Sequence, residues 1–575
     1  MKFSLLADYF EQLDNTSSRL ELIKILSELF KKVPHTEIDK TVYLLQGRVV
    51  PFFDPTEIGM ADKMVMKALA KAYNIDPIEV AKLNSKLGDL GLTAESFSEK
   101  LRVKSEKLET GSVHSALLQI AITTGEGSVD KKITLLADLL QEMNPKGAKY
   151  LLRITLAKLR LGVGDPTVME ALSLAKAGDK SARPSLEEAY NKTSDLGLVA
   201  KTYWEDGLSA IERIKIQVGK PVRPALAERL PNFVEVVKRM GSDFAVEPKY
   251  DGFRVQVHLN RKHKIAEIFS RNLENMTHMF PDILEAAEKE IKADSAIFEG
   301  EALAYNAKTE EFLPFQETTK RRRKHDIGEF ALKLPLKAFA FDLLYVDGED
   351  ITSQPYTERR KKLEKILPHQ NDLMVAKEVL LHTPEELEKM FNEQIALGLE
   401  GVMVKKLDAT YKAGGRGYHW IKVKRSSGGE LSDSVDCVLL GVYTGTGKRT
   451  EFGVGGLLVG LYDSKKDEFV TVTRIGTGLT DEEFRKVNDI AQKLKVSKKP
   501  ARVNSLITPD IWVEPKEVLE IFADEITVSP RHTAGYALRF PRLVSFRGDS
   551  KRAEDATTVK ELIKMYENQK KVKFS

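Results

Sequence analysis

A lysine becomes a nucleophile only once its ammonium has lost a proton, which nearby positive charge or removal from water promotes. Lys249, within Glu247-Pro248-Lys249-Tyr250-Asp251-Gly252-Phe253-Arg254, has a setting suited to that chemistry. Asp-Gly supplies the positive-φ geometry of a tight hairpin turn, and Pro248 limits the strand before it. The segment therefore predicts Lys249 just ahead of a rigid turn and Arg254 on the returning strand. Taken alone, it also reads as an ordinary surface hairpin lysine.

Other segments add compatible groups. Ser270-Arg271-Asn272 follows strand-like Ile265 to Phe269, Glu299-Gly300-Glu301 follows apolar Ala296 to Phe298, and Phe341-Asp342 lies in the apolar run Ala338 to Val346. Glu400-Gly401-Val402-Met403-Val404-Lys405 reads as a strand. In Trp420-Ile421-Lys422-Val423-Lys424 the alternation puts Trp420, Lys422 and Lys424 on one face and turns Ile421 and Val423 into a core. Singly, the lysines fit a solvated strand face, Phe341 fits core packing and the two glutamates fit a surface pair. Together they are the parts of a nucleotide site: cations for a triphosphate, an aromatic for a base, carboxylates for Mg²⁺.

The elements that must position these residues change character along the chain. Residues 1 to about 215 read as nearly all helix, with examples at Leu20 to Lys32, Met60 to Tyr73, Lys131 to Met143 and Ala148 to Leu159. Breakers at Gly88 to Gly91, Gly125 to Gly127 and Gly162 to Pro166 separate them, and no fixed-period repeat stands out. Gly219-Lys220-Pro221-Val222-Arg223-Pro224 is a proline-punctuated connector. Beyond it, Phe253, Val255, Val257 and Leu259 alternate with Arg254, Gln256 and His258, and a helix is expected over Tyr356 to Ile366. A second connector, Ser426-Ser427-Gly428-Gly429, precedes short strands with glycine turns and a closing helix from Thr558 to Tyr566. Three domains are expected: an all-α one at 1–217, an α+β one at 218–427 and a small β-barrel at 428–575.

With 575 residues, 42% hydrophobic and 30% charged, the chain can bury several cores. It has no apolar run long enough to span a bilayer, and Met1 to Leu13 lacks the basic leader of a secretory signal. The single cysteine, Cys437, excludes an intramolecular disulfide or a cysteine-built zinc site and is expected to be buried and inert. A formal charge of +4 is weak evidence for a polyanionic partner. Gly445-Thr446-Gly447-Lys448 fails as a phosphate loop because Val442 and Arg449 stand where glycine and Ser/Thr belong. Gly453-Val454-Gly455-Gly456 reads as barrel turns, and Lys320-Arg321-Arg322-Arg323-Lys324 as a solvated loop that could touch phosphate.

The order Lys-Tyr-Asp-Gly-x-Arg, Ser-Arg-Asn, Glu-Gly-Glu, Phe-Asp-Leu-Leu-Tyr, Glu-Gly-Val-Met-Val-Lys, Trp-Ile-Lys-Val-Lys and Arg-Phe-Pro-Arg, spanning 247 to 542, resembles the covalent nucleotidyltransferases, and specifically ATP-dependent DNA ligases of archaeal type. The resemblance implies a helical DNA-binding domain, an adenylation domain and an OB-fold barrel. It implies Lys249 as the residue that takes AMP, Glu247 at the adenine edge, Phe341 stacked on the base, and Arg254 and Glu301 near the ribose. Arg271, Arg416 and Lys422 would contact the sugar–phosphate region, with Lys405 and Lys424 near phosphate. Glu301 and Glu400 would organise Mg²⁺, and Arg539 and Arg542 would close over pyrophosphate. ATP as AMP donor, nicked duplex DNA as substrate, a sliding clamp as possible partner, a monomeric state and a cytoplasmic location follow from the same resemblance. An RNA ligase or a capping guanylyltransferase is the alternative. The long helical region and Arg-Phe-Pro-Arg look unlike those enzymes.

Overall fold

The computed structural model describes residues 1–572 apart from 17, 102–106, 160, 231, 307–310, 314–316, 319, 322–326, 370, 398, 425–433, 446–452 and 477–478. The second connector and most of the phosphate-loop lookalike thus lie outside the described residues. Packing divides the chain into two units. The first holds Met1–Tyr190, Ser194–Ile214 and Lys499–Arg502; the second holds Asn191–Thr193, Lys215–Lys498 and Val503–Ser575.

The first unit is built from α1 (Phe3–Asp14), α2 (Arg19–Lys32), α3 (Ile38–Leu45), α4 (Asp62–Tyr73), α5 (Pro77–Leu87), α6 (Leu90–Lys100), α7 (Thr110–Ile122), α8 (Ser128–Gln141), α9 (Pro145–Thr155), α10 (Asp165–Ala177), α11 (Arg183–Thr193) and α12 (Leu196–Asp206). Side-chain caps start several of them: Asp76, Asp89, Asn144 and Asp195 each accept from a backbone N–H of the first turn. The helix expected to reach Leu159 stops at Thr155, because Ala157 takes a left-handed conformation at φ 52°.

A repeat that the sequence reading did not find is present here, about 105 residues long. Tyr43-Leu44-Leu45 matches Tyr150-Leu151-Leu152, Val65-Met66-x-Ala68-Leu69 matches Val168-Met169-x-Ala171-Leu172, and Asp89-Leu90-Gly91-Leu92-x-Ala94 matches Asp195-Leu196-Gly197-Leu198-x-Ala200. Gly59 and Gly162, before α4 and α10, share a positive φ of 65° and 70°. The six-helix halves exchange partners: α3 packs on α12 and α9 on α6, while α2 packs on α10 and α8 on α4. Their starts pair across an approximate twofold, with Phe3 N–H donating to the Leu108 carbonyl and Thr110 N–H to that of Met1.

The second unit contains three β assemblies. A five-stranded sheet has the order β1 (Leu226–Arg229), β12 (Arg416–Lys424), β11 (Gly401–Lys406), β2 (Phe244–Lys249), β10 (Val379–Leu381). A second sheet has the order β4 (Ile265–Ser270), β3 (Phe253–Asn260), β5 (Ser295–Asn306), β7 (Leu336–Val346), β8 (Glu349–Asp350), with β6 (Glu311–Phe312) on β5 and β9 (Leu373–Val375) on β7. The C-terminal strands are β13 (Val435–Thr444), β14 (Val454–Asp463), β15 (Glu468–Ile475), β16 (Lys495–Val496), β17 (Val503–Asn504), β18 (Ile511–Val513), β19 (Val518–Phe522) and β22 (Arg542–Phe546), with a separate hairpin of β20 (Glu525–Val528) and β21 (Tyr536–Arg539). The helices Tyr356–Ile366 and Val559–Val572 occupy the expected places. No helix among the described residues is long and apolar enough to cross a membrane.

Three local expectations change. β2 and β3 join different sheets, and neither Asp251 nor Gly252 has a positive φ, so Lys249 precedes a crossover rather than a hairpin turn. Glycine is needed at 252 for space: a Cβ there would lie 2.4 Å from the Ala302 carbonyl oxygen. Gly455 and Gly456 lie within β14 rather than in a turn. Arg321 is 1% exposed and forks onto both Asp282 oxygens at 2.8 and 2.9 Å, so it belongs to the core rather than to a solvated loop; Arg322 to Lys324 lie outside the described residues.

Candidate active site

Strand register builds one wall of the site. Across the five-stranded sheet, Lys249 stands level with Gly401 and Lys424, Glu247 with Met403, Lys422 and Arg229, and Ala245 with Lys405 and Trp420. Period-two alternation puts these on one face. On the other face, Val246, Val402, Val404, Ile421 and Val423 join Val236, Met240, Leu387 and Met390 in a core. The alternation expected at Trp420 to Lys424 is therefore observed.

The second sheet contributes Arg254 and Glu301, level with one another on β3 and β5, and Phe341 on β7. Its apolar face carries Phe253, Val255, Val257 and Leu259 into a core, as alternation required. The opposite face is polar yet also covered. Gln256 exchanges hydrogen bonds with the Val222 backbone at 2.7 and 2.9 Å, and His258 Nδ1 accepts from Gly219 N–H at 3.0 Å. The proline connector thus lies along β3 and covers its polar face.

Lys249 forms an ion pair with Glu400, which Lys424 also approaches at 3.2 Å. Burial favours the neutral amine, but Glu400, Glu301 and Asp251 outweigh it and hold the Lys249 pKa above the ordinary lysine value. Glu400 is also burdened by desolvation, yet Lys249 and Lys424 hold its carboxyl well below the usual range. Burial pushes Glu301 up to about 7, against the pull of Lys249 and Arg254. Burial, Lys551 and Arg229 hold Lys422 well below an ordinary lysine. The lysine expected to act as nucleophile is thus protonated before any nucleotide arrives.

Glu247 and Lys405, both buried, form one group with half-buried Phe341. Lys405, 1% exposed, donates to Glu247 at 2.8 Å and to the Phe341 carbonyl at 2.7 Å, and its ammonium lies 5.1 Å from the Phe341 ring centroid. Tyr356 also donates to Glu247, at 2.8 Å. Phe341 meets Trp420 edge-on at 5.8 Å. Arg254 forks onto Glu299 at 2.7 and 3.3 Å and donates to the Ala225 carbonyl; Tyr411 holds Glu299 from the other side at 2.7 Å.

Arg416 donates to the carbonyls of Asp555 and Ala556 at 3.0 and 2.9 Å and pairs with Glu561. Arg271 is half-buried near Asp555, with no hydrogen-bond partner for its Nε among the described residues. Arg539 and Arg542 are not brought to this cluster: both are exposed, Arg539 lying over Phe540 and Arg542 pairing with Asp524. Instead the C-terminal strands bring Arg547, Lys551 and Asp436. Sequence reasoning missed these because long-range packing brings them here, and it missed the place of Arg229 and Met403 because only strand register sets them level with Lys422. Cys437 is buried, and burial raises its thiol pKa.

A lysine amine among carboxylates, on a wall of cations and near a half-buried aromatic, is equipped for phosphoryl transfer. Comparison with known proteins fits this chemistry. The family model for the DNA ligase N terminus matches residues 2–173, that for the ATP dependent DNA ligase domain 224–424, and that for the ATP dependent DNA ligase C terminal region 450–550. A "Probable DNA ligase" of Dictyoglomus thermophilum is 50% identical over 100% of this chain and 99% of its own length. DNA ligases of Hyperthermus butylicus and Sulfolobus acidocaldarius are 43% and 42% identical, over 99% and 100% of this chain and 98% and 99% of theirs. The chain belongs to the ATP-dependent DNA ligases, with a helical N-terminal region, a central adenylation domain and a β-rich C-terminal region. The RNA-directed alternative is not favoured.

Proposed function

We infer that this ligase stores AMP on Lys249 and spends it at a nick in duplex DNA. The Lys249 nitrogen attacks the α-phosphorus of ATP; a P–N bond forms, the P–O bond to pyrophosphate breaks, and pyrophosphate leaves. The 5′-phosphate of the nick then displaces Lys249, and the 3′-hydroxyl oxygen displaces AMP to complete the phosphodiester. The supporting observation is the Lys249–Glu400 pair on the face shared with Lys422 and Lys424. Lys249 must lose its proton before it attacks, and Glu301, standing at about 7, is the neighbouring carboxylate best matched to receive it.

Glu247 and Phe341 would hold the base, Arg254, Arg271 and Arg416 the sugar side, and Lys405, Lys422 and Lys424 the phosphates. Glu400 and Glu301 offer hard oxygen donors that suit Mg²⁺. No group of three His, Cys, Asp or Glu side chains among the described residues could hold a metal ion. Mg²⁺ bound at Glu400 and Glu301 would offset phosphate charge. Arg539 and Arg542, exposed in this pose, would close over pyrophosphate after a movement of the C-terminal strands. The functional division would be 1–217 for DNA binding, 218–427 for adenylation and 428–575 as an OB-type barrel. Action as a monomer inside the cell, near a sliding clamp, rests on the family resemblance.

The test uses ATP labelled on the α-phosphate. Acid-labile label on Lys249 that chases onto nicked DNA and leaves as AMP on sealing is the expected result. A Lys249→Ala protein that still seals nicks would overturn the reading.

A further inference from the structure

Tyr356 opens the helix Tyr356–Ile366 and carries its hydroxyl to Glu247. The side chain is 1% exposed, and its oxygen stands between two carboxylates. One is Glu247, at 2.8 Å; the other is Glu378, half-buried on the connection between β9 and β10. Burial and both carboxylates push the hydroxyl well above its ordinary pKa, so it keeps its proton. The other donors nearby are committed. Lys405 lies 2.8 Å from both Glu247 oxygens and donates to the Phe341 carbonyl at 2.7 Å. Arg360, one turn along the helix from Tyr356, holds the Ala376 carbonyl and Glu364 at 2.7 Å each. It reaches Glu247 only at 3.4 Å and Glu378 only at 4.0 Å.

A phenol has one hydrogen, and here two carboxylate oxygens face it. Whichever carboxylate receives that hydrogen, the other meets an oxygen lone pair, at a buried contact where an unserved acceptor is costly. The group is therefore one donor short until something brings a hydrogen to Glu247. The exocyclic amino group of adenine is such a donor. Once it binds Glu247, the Tyr356 O–H turns to Glu378 and every acceptor is served.

We propose that Tyr356 and Glu378 determine nucleotide specificity in this ligase, holding Glu247 one hydrogen-bond donor short so that a purine with an amino group at C6 is preferred. The proposal rests on Glu247 at the base edge. Both are positioning residues, acting through Glu247 without touching the nucleotide.

Full-length wild type, E378L, Y356F and Y356F/E378L are compared in single-turnover lysyl-nucleotide formation with Mg²⁺, read by intact-protein mass. The substrates are ATP and purine riboside triphosphate, which has hydrogen in place of the 6-amino group. Wild type should favour ATP by at least about tenfold in second-order rate constant. No preference in wild type overturns the placement of Glu247 at the base edge, and this proposal with it. E378L leaves the hydroxyl to Glu247 alone, so its preference for ATP should shrink about tenfold, through a slower rate with ATP. In the Y356F background there is no hydroxyl to redirect, and E378L should change the ATP rate by less than about twofold. A wild type that favours ATP, beside an E378L protein with the same preference, overturns this proposal alone. So does an E378L loss that is equal with and without the Tyr356 hydroxyl. Should E378L fail to fold, E378Q decides, because its amide oxygen accepts more weakly than a carboxylate. A narrowed preference that disappears in the Y356F background supports the proposal; an unchanged preference, or a narrowing that persists there, overturns it.

Discussion

Removing Glu400 as an anion should release the proton of Lys249 at lower pH. Both side chains are about one-fifth exposed, at 20% and 19%, so the pair is only partly screened. At about 4 Å and an effective dielectric of about 20, opposite unit charges attract by about 4 kcal/mol, and a pKa unit corresponds to about 1.4 kcal/mol. Glu301 and Asp251 remain and partial exposure weakens the field, so Glu400→Gln should remove only part of that attraction, about 1–3 kcal/mol, and move the Lys249 pKa down. The assay is the pH dependence of Lys249 modification by an amine-reactive reagent, followed by peptide mapping, without ATP or metal. Omitting metal keeps any role of Glu400 in binding it out of the measurement. The sign for stability follows the same pair. A lysine whose folded pKa is raised stabilises the fold below its unfolded pKa and loses that contribution as pH rises through the folded value. The variant should therefore shed part of the alkaline loss of stability seen in wild type. A modification midpoint that stays put or moves upward would refute the electrostatic account of Lys249.

Glu301→Gln should flatten any pH dependence near 7 in lysyl-AMP formation. In wild type the raised carboxyl pKa makes the fold most stable below the ordinary glutamate value and less so as pH rises through about 7, and thermal melts across that range test the sign. Lys405→Met leaves buried Glu247 without its principal cation and should destabilise the adenylation domain by about 3–5 kcal/mol, read from denaturant unfolding. Gly252→Ala forces a methyl against the Ala302 carbonyl and should destabilise by about 1–3 kcal/mol while slowing labelling of Lys249; an unchanged melt would show that the crossover yields easily. Tyr411→Phe removes one hydroxyl that serves both Glu299 and the Ala225 N–H, and should raise the KM for ATP by about tenfold through a loosened Arg254.

The strands carrying chemistry were legible because each pairs a short apolar alternation with charged residues on the other face. Trp420 to Lys424 is the clearest case, and Tyr356–Ile366 was read with its actual ends. What failed was relational. Asp251-Gly252 looks like a hairpin because those residues so often make one, but the chain uses the glycine for clearance while crossing between sheets. Arg321 sits in a run of five basic residues, and only the fold reveals Asp282 opposite it. Arg229 and Arg547 belong to no short motif; register and long-range packing bring them to the cleft. The helical duplication was hidden by its length and drifting offset, its identities surviving mainly around helix starts and glycine turns.

That duplication has a consequence for how the N-terminal region acquires its structure. Each six-helix half finds major packing partners in the other, so neither half alone encloses a complete core. The region has the form of two intertwined subunits written on one chain. During synthesis α2 waits for α10, and α3 for α12, so closure is delayed until nearly all of the region has been made. A fragment ending before α7 would expose apolar faces rather than fold as a half-sized domain. Supplied together as separate chains, the two halves should instead find each other, with the fused chain serving mainly to raise their effective concentration.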